Sequence, residues 1–196
     1  MQKSLKYTIF KTKWGYFGLV AAGNALCRSC LPLSRPERVK SQLLKNLALL
    51  NQESSIKFDK NLFRPLQEQI IAYFEGTYVD FSQTIPIVLN GFSPFCASVL
   101  RACRRIRFGQ VVTYSALAKK IGQAAAARAV GNVLAKNPLP LLIPCHRVIR
   151  SDGQIGGFSA IGGTRVKKRL LELERRCCQP ASPEPAQRQA KAKATQ

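Results

Sequence analysis

The sequence SALAKKIGQAAAARAVGNVLAKNP, residues 115–138, contains two short segments with helical periodicity. The spacing of their apolar residues predicts one helix over residues 115–121 and a second over residues 124–135, with Gly122 at the turn between them. The Asn-Pro pair at residues 137–138 ends the second helix, because a residue before proline disfavours the helical conformation. Two short helices joined by a tight turn are typical of the helix-turn-helix of DNA-binding domains.

The charge around this motif points to a polyanionic partner. The chain has 31 Lys and Arg against 10 Asp and Glu, a formal net charge of +21. No acidic residue occurs between Phe81 and Ser151. A surface of a single sign attracts phosphate groups, so nucleic acid is the first partner to expect. The cations of this acid-free stretch are Arg101, Arg104, Arg105, Arg107, Lys119, Lys120, Arg128, Lys136, Arg147 and Arg150.

Length and composition exclude several classes of protein. A chain of 196 residues can bury the core of one or two domains, and 46% hydrophobic with 21% charged residues argues against wholesale disorder. No apolar run reaches the roughly 20 residues of a membrane span, so we expect no membrane partner. The 7 cysteines are irregularly spaced, which favours a reducing compartment over a disulfide framework.

Two local patterns near the N-terminus have alternative interpretations. Cys27 and Cys30 have the spacing of a zinc or redox pair, but His146 is the sole histidine, so we expect no metal site. Lysines ahead of the apolar residues 14–26 leave export as an alternative, although three glycines interrupt that stretch.

The first half of the chain has the pattern of an α/β domain. Alternating residues 5–30, with turn signals at Trp14-Gly15 and Gly23-Asn24, predict a small antiparallel sheet. Helices are expected after Ser34, where leucines recur at helical spacing, and over residues 63–74, ending at Gly76. The leucines of the first helix are Leu43, Leu44, Leu47 and Leu50.

The second half is expected to be mostly helical. Ser93-Pro94 is a good start for a helix through Ile106, and apolar spacing predicts a last helix over residues 164–176. We therefore expect an α/β domain over residues 1–85 and a DNA-binding domain over residues 92–176. A basic tail over residues 177–196 is expected to be disordered, because its composition offers nothing to bury.

The segment LPLLIPCHRV contains the only Cys-His pair of the chain. A thiol is nucleophilic only as thiolate, so a reactive cysteine needs a base or a positive field beside it. We expect a buried apolar strand ending in Pro144 to hold Cys145, His146 to take its proton, and Arg147 or Arg150 to favour the anion.

The run Pro144-Cys145-His146-Arg147-Val148 resembles the active-site signature of the O6-alkylguanine-DNA alkyltransferases. The resemblance covers residues 93–174 closely, whereas the first ninety residues agree only in general pattern. Further matching blocks, in order, are residues 108–114, Ala127-Arg128-Ala129-Val130-Gly131, Asn137-Pro138, Gly156-Gly157-Phe158-Ser159, and Lys167 with residues 170–174.

The resemblance implies a protein that repairs DNA by direct reversal of damage. Its fold would be a ribonuclease H-like α/β domain followed by a mostly α, winged-helix-like domain with a helix-turn-helix. It would bind double-stranded DNA through the minor groove, flip an alkylated guanine into a pocket and transfer the alkyl group irreversibly to its own cysteine. No cofactor is implied, and we expect a monomer that is cytoplasmic in a bacterium or nuclear in a eukaryote.

The resemblance also assigns catalytic roles by position. Cys145 is the alkyl acceptor and His146 its base, acting through a water. Glu174 orients the imidazole, with Glu172 as the alternative in the alignment. The remaining catalytic positions are Asn137, which braces the turn, and Tyr114, which contacts the phosphate beside the target and protonates the departing guanine.

DNA and guanine contacts are implied in the same way. Arg128 fills the gap left by the flipped base, and small side chains let the second helix approach a narrow groove. The guanine pocket is formed by Pro140, Val148, Phe158 and Ser159, and the other DNA contacts are Tyr114, Thr113, Ala126 and Ala127. Phe158 stands where a tyrosine is usual, so we expect an altered substrate preference.

Two other functions remain open on the sequence. One is a protein that recognises alkylated bases without reacting, as family relatives that lack the acceptor cysteine do. The other is a helix-turn-helix regulator, for which the motif and the net charge would suffice.

Overall fold

The computed structural model describes residues 4–45, 56–81 and 85–178. The first half of the chain contains β1 (Leu5–Thr12), β2 (Gly15–Ala22), β3 (Ala25–Leu33), α1 (Pro36–Leu44), β4 (Lys57–Phe58) and α2 (Arg64–Glu75). The second half contains α3 (Pro94–Arg104), β5 (Val112–Thr113), α4 (Tyr114–Lys120), α5 (Ala127–Ala135), β6 (Val148–Ile149) and α6 (Gly163–Cys178).

The sheet of the first half has the strand order β3-β2-β1-β4. Strands β1, β2 and β3 form the expected antiparallel meander. Strand β4 adds two residues in parallel beside β1, so the sheet is mixed and not purely antiparallel as predicted. A strand of two residues is too short to produce a recognisable alternation.

Both predicted turns of the meander are confirmed, and the first depends on a glycine. Gly15 has φ +128°, and a Cβ at this position would lie 2.5 Å from the carbonyl oxygen of Leu33. The hydroxyl of Thr12 donates to the Gly15 carbonyl at 2.8 Å and closes the turn. Only glycine satisfies both the conformation and the close approach of β3.

Both predicted helices of the first half are present, and the bounds of α2 agree with the prediction to within one residue. Helix α2 covers the predicted range and ends at Gly76, whose φ is +101°. Helix α1 begins at Pro36 and buries Val39 and Leu43 against the sheet. Leu47 and Leu50 of its predicted continuation lie outside the described residues.

The helix-turn-helix consists of α4 and α5, packed on α3. The side chains of Ser93 and Thr113 cap α3 and α4, each accepting from a backbone N–H three residues later. Helix α5 begins at Ala127 and not at the predicted residue 124. The backbone N–H of Ala126 donates to the carbonyl of Gln123 at 2.9 Å, so Ala124 and Ala125 lie in a turn before the helix.

A continuous buried core joins the two halves of the chain. It runs from the sheet through α2 and α3 to α6, and a smaller cluster fills the space between the sheet and α1. Its largest side chains include Phe17, Leu19, Ile70, Tyr73, Phe74, Leu100, Leu117 and Leu139. Because this core is shared, side chains of the first half reach the chemical groups of the second.

Helix α6 confirms the predicted last helix and continues to Cys178, so the first two residues of the expected tail are helical. Residues 179–196, the rest of that tail, lie outside the described residues. None of the helices in the described ranges has the length and hydropathy needed to span a membrane.

Candidate active site

Cys145 follows a tight turn and not the predicted strand. Pro140 and Ile143 form an isolated bridge across this turn, and Leu141 has a φ of +77°. A proline has no N–H to donate to a ladder, which explains why a segment with Pro140 and Pro144 does not extend a sheet. A non-glycine residue with positive φ costs about 1 kcal/mol, so the surrounding contacts must hold the turn.

The side chain of Asn137 supplies those contacts. Its Nδ2 donates to the carbonyl oxygen of Ile143 at 2.8 Å and to Cys145 Sγ at 3.1 Å. Its Oδ1 accepts from the backbone N–H of Leu139 at 3.0 Å. One amide therefore fixes both arms of the turn and the sulfur itself.

The thiol of Cys145 is 7% exposed, and burial raises its pKa. The hydrogen bond from Asn137 and the positive charge of Lys167 act in the opposite direction. At neutral pH the thiol is therefore protonated, and it must lose its proton to react.

His146 forms a buried hydrogen-bonded pair with Glu174. The distance from His146 Nε2 to Glu174 Oε1 is 2.8 Å, and the two side chains are 0% and 1% exposed. Arg147 also binds this carboxylate, with Nε 2.9 Å from Oε2 and Nη2 2.9 Å from Oε1. Tyr73 Oη donates to Oε1 at 2.7 Å, and the backbone N–H of Gly109 donates to Oε2 at 3.1 Å.

The pKa values of Glu174 and His146 are both shifted downward, for different reasons. Burial alone would raise the pKa of Glu174, but the hydrogen bonds and charges of His146 and Arg147 outweigh it and hold that pKa at about 2. Burial lowers the pKa of His146 despite the neighbouring carboxylate. The resulting pair is a carboxylate beside a neutral imidazole.

The hydrogen-bond network also assigns the imidazole tautomer. An ionised carboxylate can only accept, so Nε2 of His146 carries the hydrogen that binds Glu174. Nδ1 then has a free lone pair, and it makes no hydrogen bond within the described residues. It is the ring atom able to take a proton.

The cation that acts on Cys145 is Lys167 and neither of the predicted arginines. Arg147 is bound to Glu174, and Arg150 forms an exposed pair with Asp152 at 2.9 Å. The ammonium of Lys167 is buried and donates to the carbonyls of Val148 at 2.6 Å and Gly157 at 3.4 Å. Burial lowers its pKa to about 8.

Tyr114 begins α4 and packs against two glycines. A Cβ on Gly131 would lie 3.7 Å from its ring, and one on Gly156 would lie 3.2 Å from its Oη. Gly156 also has φ +71°, so this position requires glycine on both counts. The hydroxyl of Thr113 is used in capping α4, where it accepts from the N–H of Ala116 at 3.1 Å.

Two cavities meet at Cys145. One, of about 850 Å³, opens beside the helix-turn-helix and is lined by Tyr114, Ala127, Arg128, Gly131, Phe158 and Ser159 among others. The second, of about 400 Å³, faces the first half of the chain and includes Arg28, Lys136, Asn137, Pro140, Phe158 and Ser159. Cys145 lines both cavities, so this residue lies where they meet.

The remaining predicted residues take different positions. Glu172 lies at the surface of α6, where it binds Arg175 and Arg176 and does not contact His146. Val148 is buried, and its carbonyl accepts from Lys167. Ala126 directly precedes α5.

Two buried groups were not predicted as site residues from the sequence. Tyr73 is 101 residues from Glu174 in the chain, and no local pattern signals that contact. Lys167 does leave a signal, because it shares one helical face with Leu170 and Glu174, all buried. A lysine on an otherwise buried face indicates a functional or paired charge.

Several known proteins are similar to this chain in sequence or in structure. Residues 94–176 match the family model for the 6-O-methylguanine DNA methyltransferase DNA-binding domain. The chain is 45% identical over 116 residues to the methylated-DNA–protein-cysteine methyltransferase of Metallosphaera sedula, which covers 59% of this chain and 70% of that protein. It is 41% identical over 116 residues to the protein of the same name from Sulfolobus acidocaldarius, with 59% and 70% covered.

A solved structure extends the likeness beyond the second half of the chain. The crystal structure of Mycobacterium tuberculosis OGT in complex with DNA has a TM-score of 0.69 and 28% identity, and the match covers 88% of this chain and 94% of that one. The 45% identity to a relative that is covered to 70% of its length, together with this structural likeness, assigns the family. The chain belongs to the methylated-DNA–protein-cysteine methyltransferases.

Proposed function

We propose that this protein repairs DNA by transferring an alkyl group, such as methyl, from O6 of guanine in duplex DNA to the sulfur of Cys145. The observation that carries the proposal is the position of this thiol at the junction of two cavities, with a buried His146–Glu174 pair next to it in the chain. Water does not displace the thiolate of Cys145 from an unactivated alkyl thioether, so each molecule reacts once.

The proton of the thiol is proposed to pass to His146. Nδ1 is the ring atom with a free lone pair, and a water between the two side chains would relay the proton. Glu174 then stabilises the imidazolium, following the general logic of nucleophile, base and orienting acid. Asn137 and Lys167 support the thiolate through the hydrogen bond and the positive charge described above.

The transfer itself is a displacement at carbon. The S–C bond forms as the bond from the alkyl carbon to O6 breaks, and the electron pair of that bond stays on the guanine. Tyr114 donates a proton to the departing base, and the imidazolium of His146 returns a proton to the tyrosine. The net change is exchange of the thiol hydrogen for the alkyl group.

The target base must leave the helix before this step, because its O6 substituent lies within the base stack. Arg128 is exposed on α5 and lines the larger cavity, which suits a side chain that fills the vacated space. Ala126 and Ala127 present little bulk to a minor groove. Thr113 and Tyr114, at the start of α4, would contact the phosphate backbone of the DNA. Duplex DNA with an alkylated guanine is therefore the proposed partner, and a relative was crystallised with DNA.

The guanine is proposed to bind between Pro140 and Phe158, with the Ser159 amide donating to O6. The carbonyls of Cys145 and Val148 would accept from its amino group. Phe158 keeps an aromatic face for stacking but has no hydroxyl, so we expect a different preference among adducts from that of relatives with tyrosine.

At the level of the fold, we infer a ribonuclease H-like domain over residues 1–85 and a winged-helix-like domain over residues 92–176. The small mixed sheet with flanking helices and the α3–α5 bundle support these assignments. We further infer a monomer that acts where the genome is, in the bacterial cytoplasm or the eukaryotic nucleus. The non-catalytic and regulatory alternatives are not favoured, since neither needs a buried Cys145 with a base.

The test is stoichiometry. A duplex with one isotope-labelled O6-methylguanine is incubated with increasing protein, and restored guanine is measured by chromatography. We expect recovery to stop at one equivalent per protein molecule and to be complete when protein is in excess. Continuous turnover, or tight binding with no restored guanine, would contradict the proposal.

A further inference from the structure

A tyrosine from the first half of the chain completes the buried cluster of the second. Tyr73 lies on α2 and is 0% exposed. Its hydroxyl donates to Glu174 Oε1 at 2.7 Å, and the same oxygen binds His146 Nε2 at 2.8 Å. The roles proposed above make no use of this contact.

We propose that Tyr73 is a positioning residue that sets the strength of the Glu174–His146 hydrogen bond and thereby the basicity of the imidazole. This inference rests on the proposed transfer to Cys145, because only then does the imidazole have a proton to accept. It gives the first half of the chain an indirect part in the reaction, through a single hydroxyl that acts on Glu174.

Several donors compete for one oxygen of the Glu174 carboxylate. Glu174 Oε1 accepts from Tyr73 Oη and from Arg147 Nη2 at 2.9 Å, in addition to the imidazole. Each donor takes part of the negative charge of the carboxylate, which leaves less for the hydrogen on Nε2. Removing the Tyr73 hydroxyl therefore strengthens the Glu174–His146 bond and favours the protonated imidazole.

The expected change of the transfer rate with pH follows from the role of His146 as the base. His146 must be neutral to receive the proton of the thiol, so a variant that favours imidazolium is inactive over a wider acidic range. A hydrogen bond to a charged group changes an equilibrium constant by about tenfold. The loss of rate should therefore reach about tenfold at acidic pH and disappear at alkaline pH.

Other charged groups near the imidazole do not replace the hydroxyl. Within the described residues, Glu174 and Lys167 face His146 from α6, Arg147 is its neighbour in the chain, and the Cys145 thiol precedes it. Around Tyr73 the ionisable groups are Glu174, Arg147 and Cys177. The two thiols are the neutral donors among these groups, and neither takes over the hydrogen bond to Oε1, because Cys177 Sγ donates to the carbonyl of Gly76 and Cys145 Sγ binds Asn137 Nδ2.

The packing around Tyr73 makes the hydroxyl a fixed donor. Its ring contacts those of Phe74, Phe81 and Phe108 with centroid separations of 5.2, 5.7 and 5.8 Å. A ring held on three sides cannot swing away, so α2 keeps its Oη aimed at α6. A Tyr73→Phe variant retains this packing and removes only the oxygen.

The experiment uses the full chain and its sole histidine. With imidazole-labelled protein, nuclear magnetic resonance at neutral pH gives a single Nε2–H signal, which can come only from His146. In Tyr73→Phe this proton should move downfield, as a stronger hydrogen bond requires. The matched control is Phe74→Leu, which disturbs the same aromatic cluster without contacting Glu174, and its signal should stay in place.

The second readout is the rate of methyl transfer to Cys145 between acidic and alkaline pH. Tyr73→Phe should react about tenfold more slowly than wild type at acidic pH and equally fast at alkaline pH. An unchanged Nε2–H signal, or a loss of rate equal at every pH, would overturn the inference and leave Tyr73 a packing residue. A wild type that transfers nothing would instead refute the proposed function, while the resonance result still tests the hydrogen bond.

Discussion

Glu174→Gln is the substitution whose consequences the structure defines most completely. The side chain is 1% exposed and accepts from His146, Arg147, Tyr73 and the backbone of Gly109. Glutamine keeps the shape but removes the charge, and its amide nitrogen presents hydrogens to groups that are themselves donors. Arg147 then remains buried, at 3% exposure, without an anion.

The expected loss of stability can be estimated in two ways. The pKa of Glu174 falls from 4.5 to about 2 on folding, which corresponds to about 3 kcal/mol at neutral pH. Breaking a buried ion pair by removing one partner costs roughly 3–5 kcal/mol, in agreement. For a chain of this size, about 3 kcal/mol lowers Tm by roughly 6–12 °C.

The sign of the pH dependence is fixed by the direction of the pKa shift. A carboxyl whose pKa is depressed by folding contributes stability above its ordinary pKa of 4.5, and this contribution is lost as pH falls through about 2. The stability difference between wild type and Glu174→Gln should therefore be full at pH 6–7 and shrink as the solution is acidified toward pH 2.

Thermal and urea unfolding from pH 7 down to pH 3 would measure this difference. Glu172→Gln is the matched control on the same helix, since its pairs with Arg175 and Arg176 lie in water. We expect a small change of Tm in the control. A Glu174→Gln variant as stable as wild type, or one whose stability deficit is the same at pH 3 and pH 7, would show that the Glu174 charge does not stabilise the fold.

Three further predictions concern DNA and the nucleophile. Arg128→Ala should react normally with a free O6-alkylguanine base but repair duplex DNA at least tenfold more slowly, as measured by single-turnover kinetics; equal losses on both substrates would remove its role in flipping. Affinity for duplex DNA should fall linearly with salt on logarithmic scales and depend little on sequence, which fluorescence anisotropy would measure; a flat response would contradict phosphate binding by the acid-free region. Lys167→Met should raise the pKa of Cys145 and slow transfer at neutral pH by about tenfold, whereas the exposed Lys168→Met should not; a rate unchanged by Lys167→Met would exclude its charge as a support of the thiolate.

Local patterns in the sequence predicted most helices and turns of this fold. The meander turns, α2, α3, the helix-turn-helix and α6 all follow from glycine positions, capping residues and apolar spacing. The start of α5 did not follow, because four consecutive alanines favour a helix from Ala124, whereas the hydrogen bond from the Ala126 N–H to the Gln123 carbonyl places Ala124 and Ala125 in a turn. Strand β4 was too short to leave a pattern.

The geometry around Cys145 was less accessible to sequence reasoning. A segment rich in leucine and isoleucine suggested a strand, but two prolines and the positive φ of Leu141 make it a turn held by Asn137. From the sequence, Arg147 was expected to act on the thiol of Cys145. In the structure its guanidinium binds the carboxylate of Glu174 instead. Contacts between residues far apart in the chain, such as Tyr73 with Glu174, depend on how whole helices pack.

Alkyl transfer to Cys145 is tested by locating the transferred group on the protein. Wild type, Cys145→Ser and Cys103→Ala are each incubated with a duplex that contains one O6-methylguanine, and the intact mass and peptide masses are measured. Cys103 is the matched control because it is a second buried thiol near Cys145. Burial, and then the neighbouring Cys145, raise the pKa of Cys103. We predict that wild type and Cys103→Ala each gain one methyl in place of the thiol hydrogen of Cys145, and that Cys145→Ser gains none. A methyl group on another residue, or an unmodified wild-type protein bound to the lesion, would contradict the account.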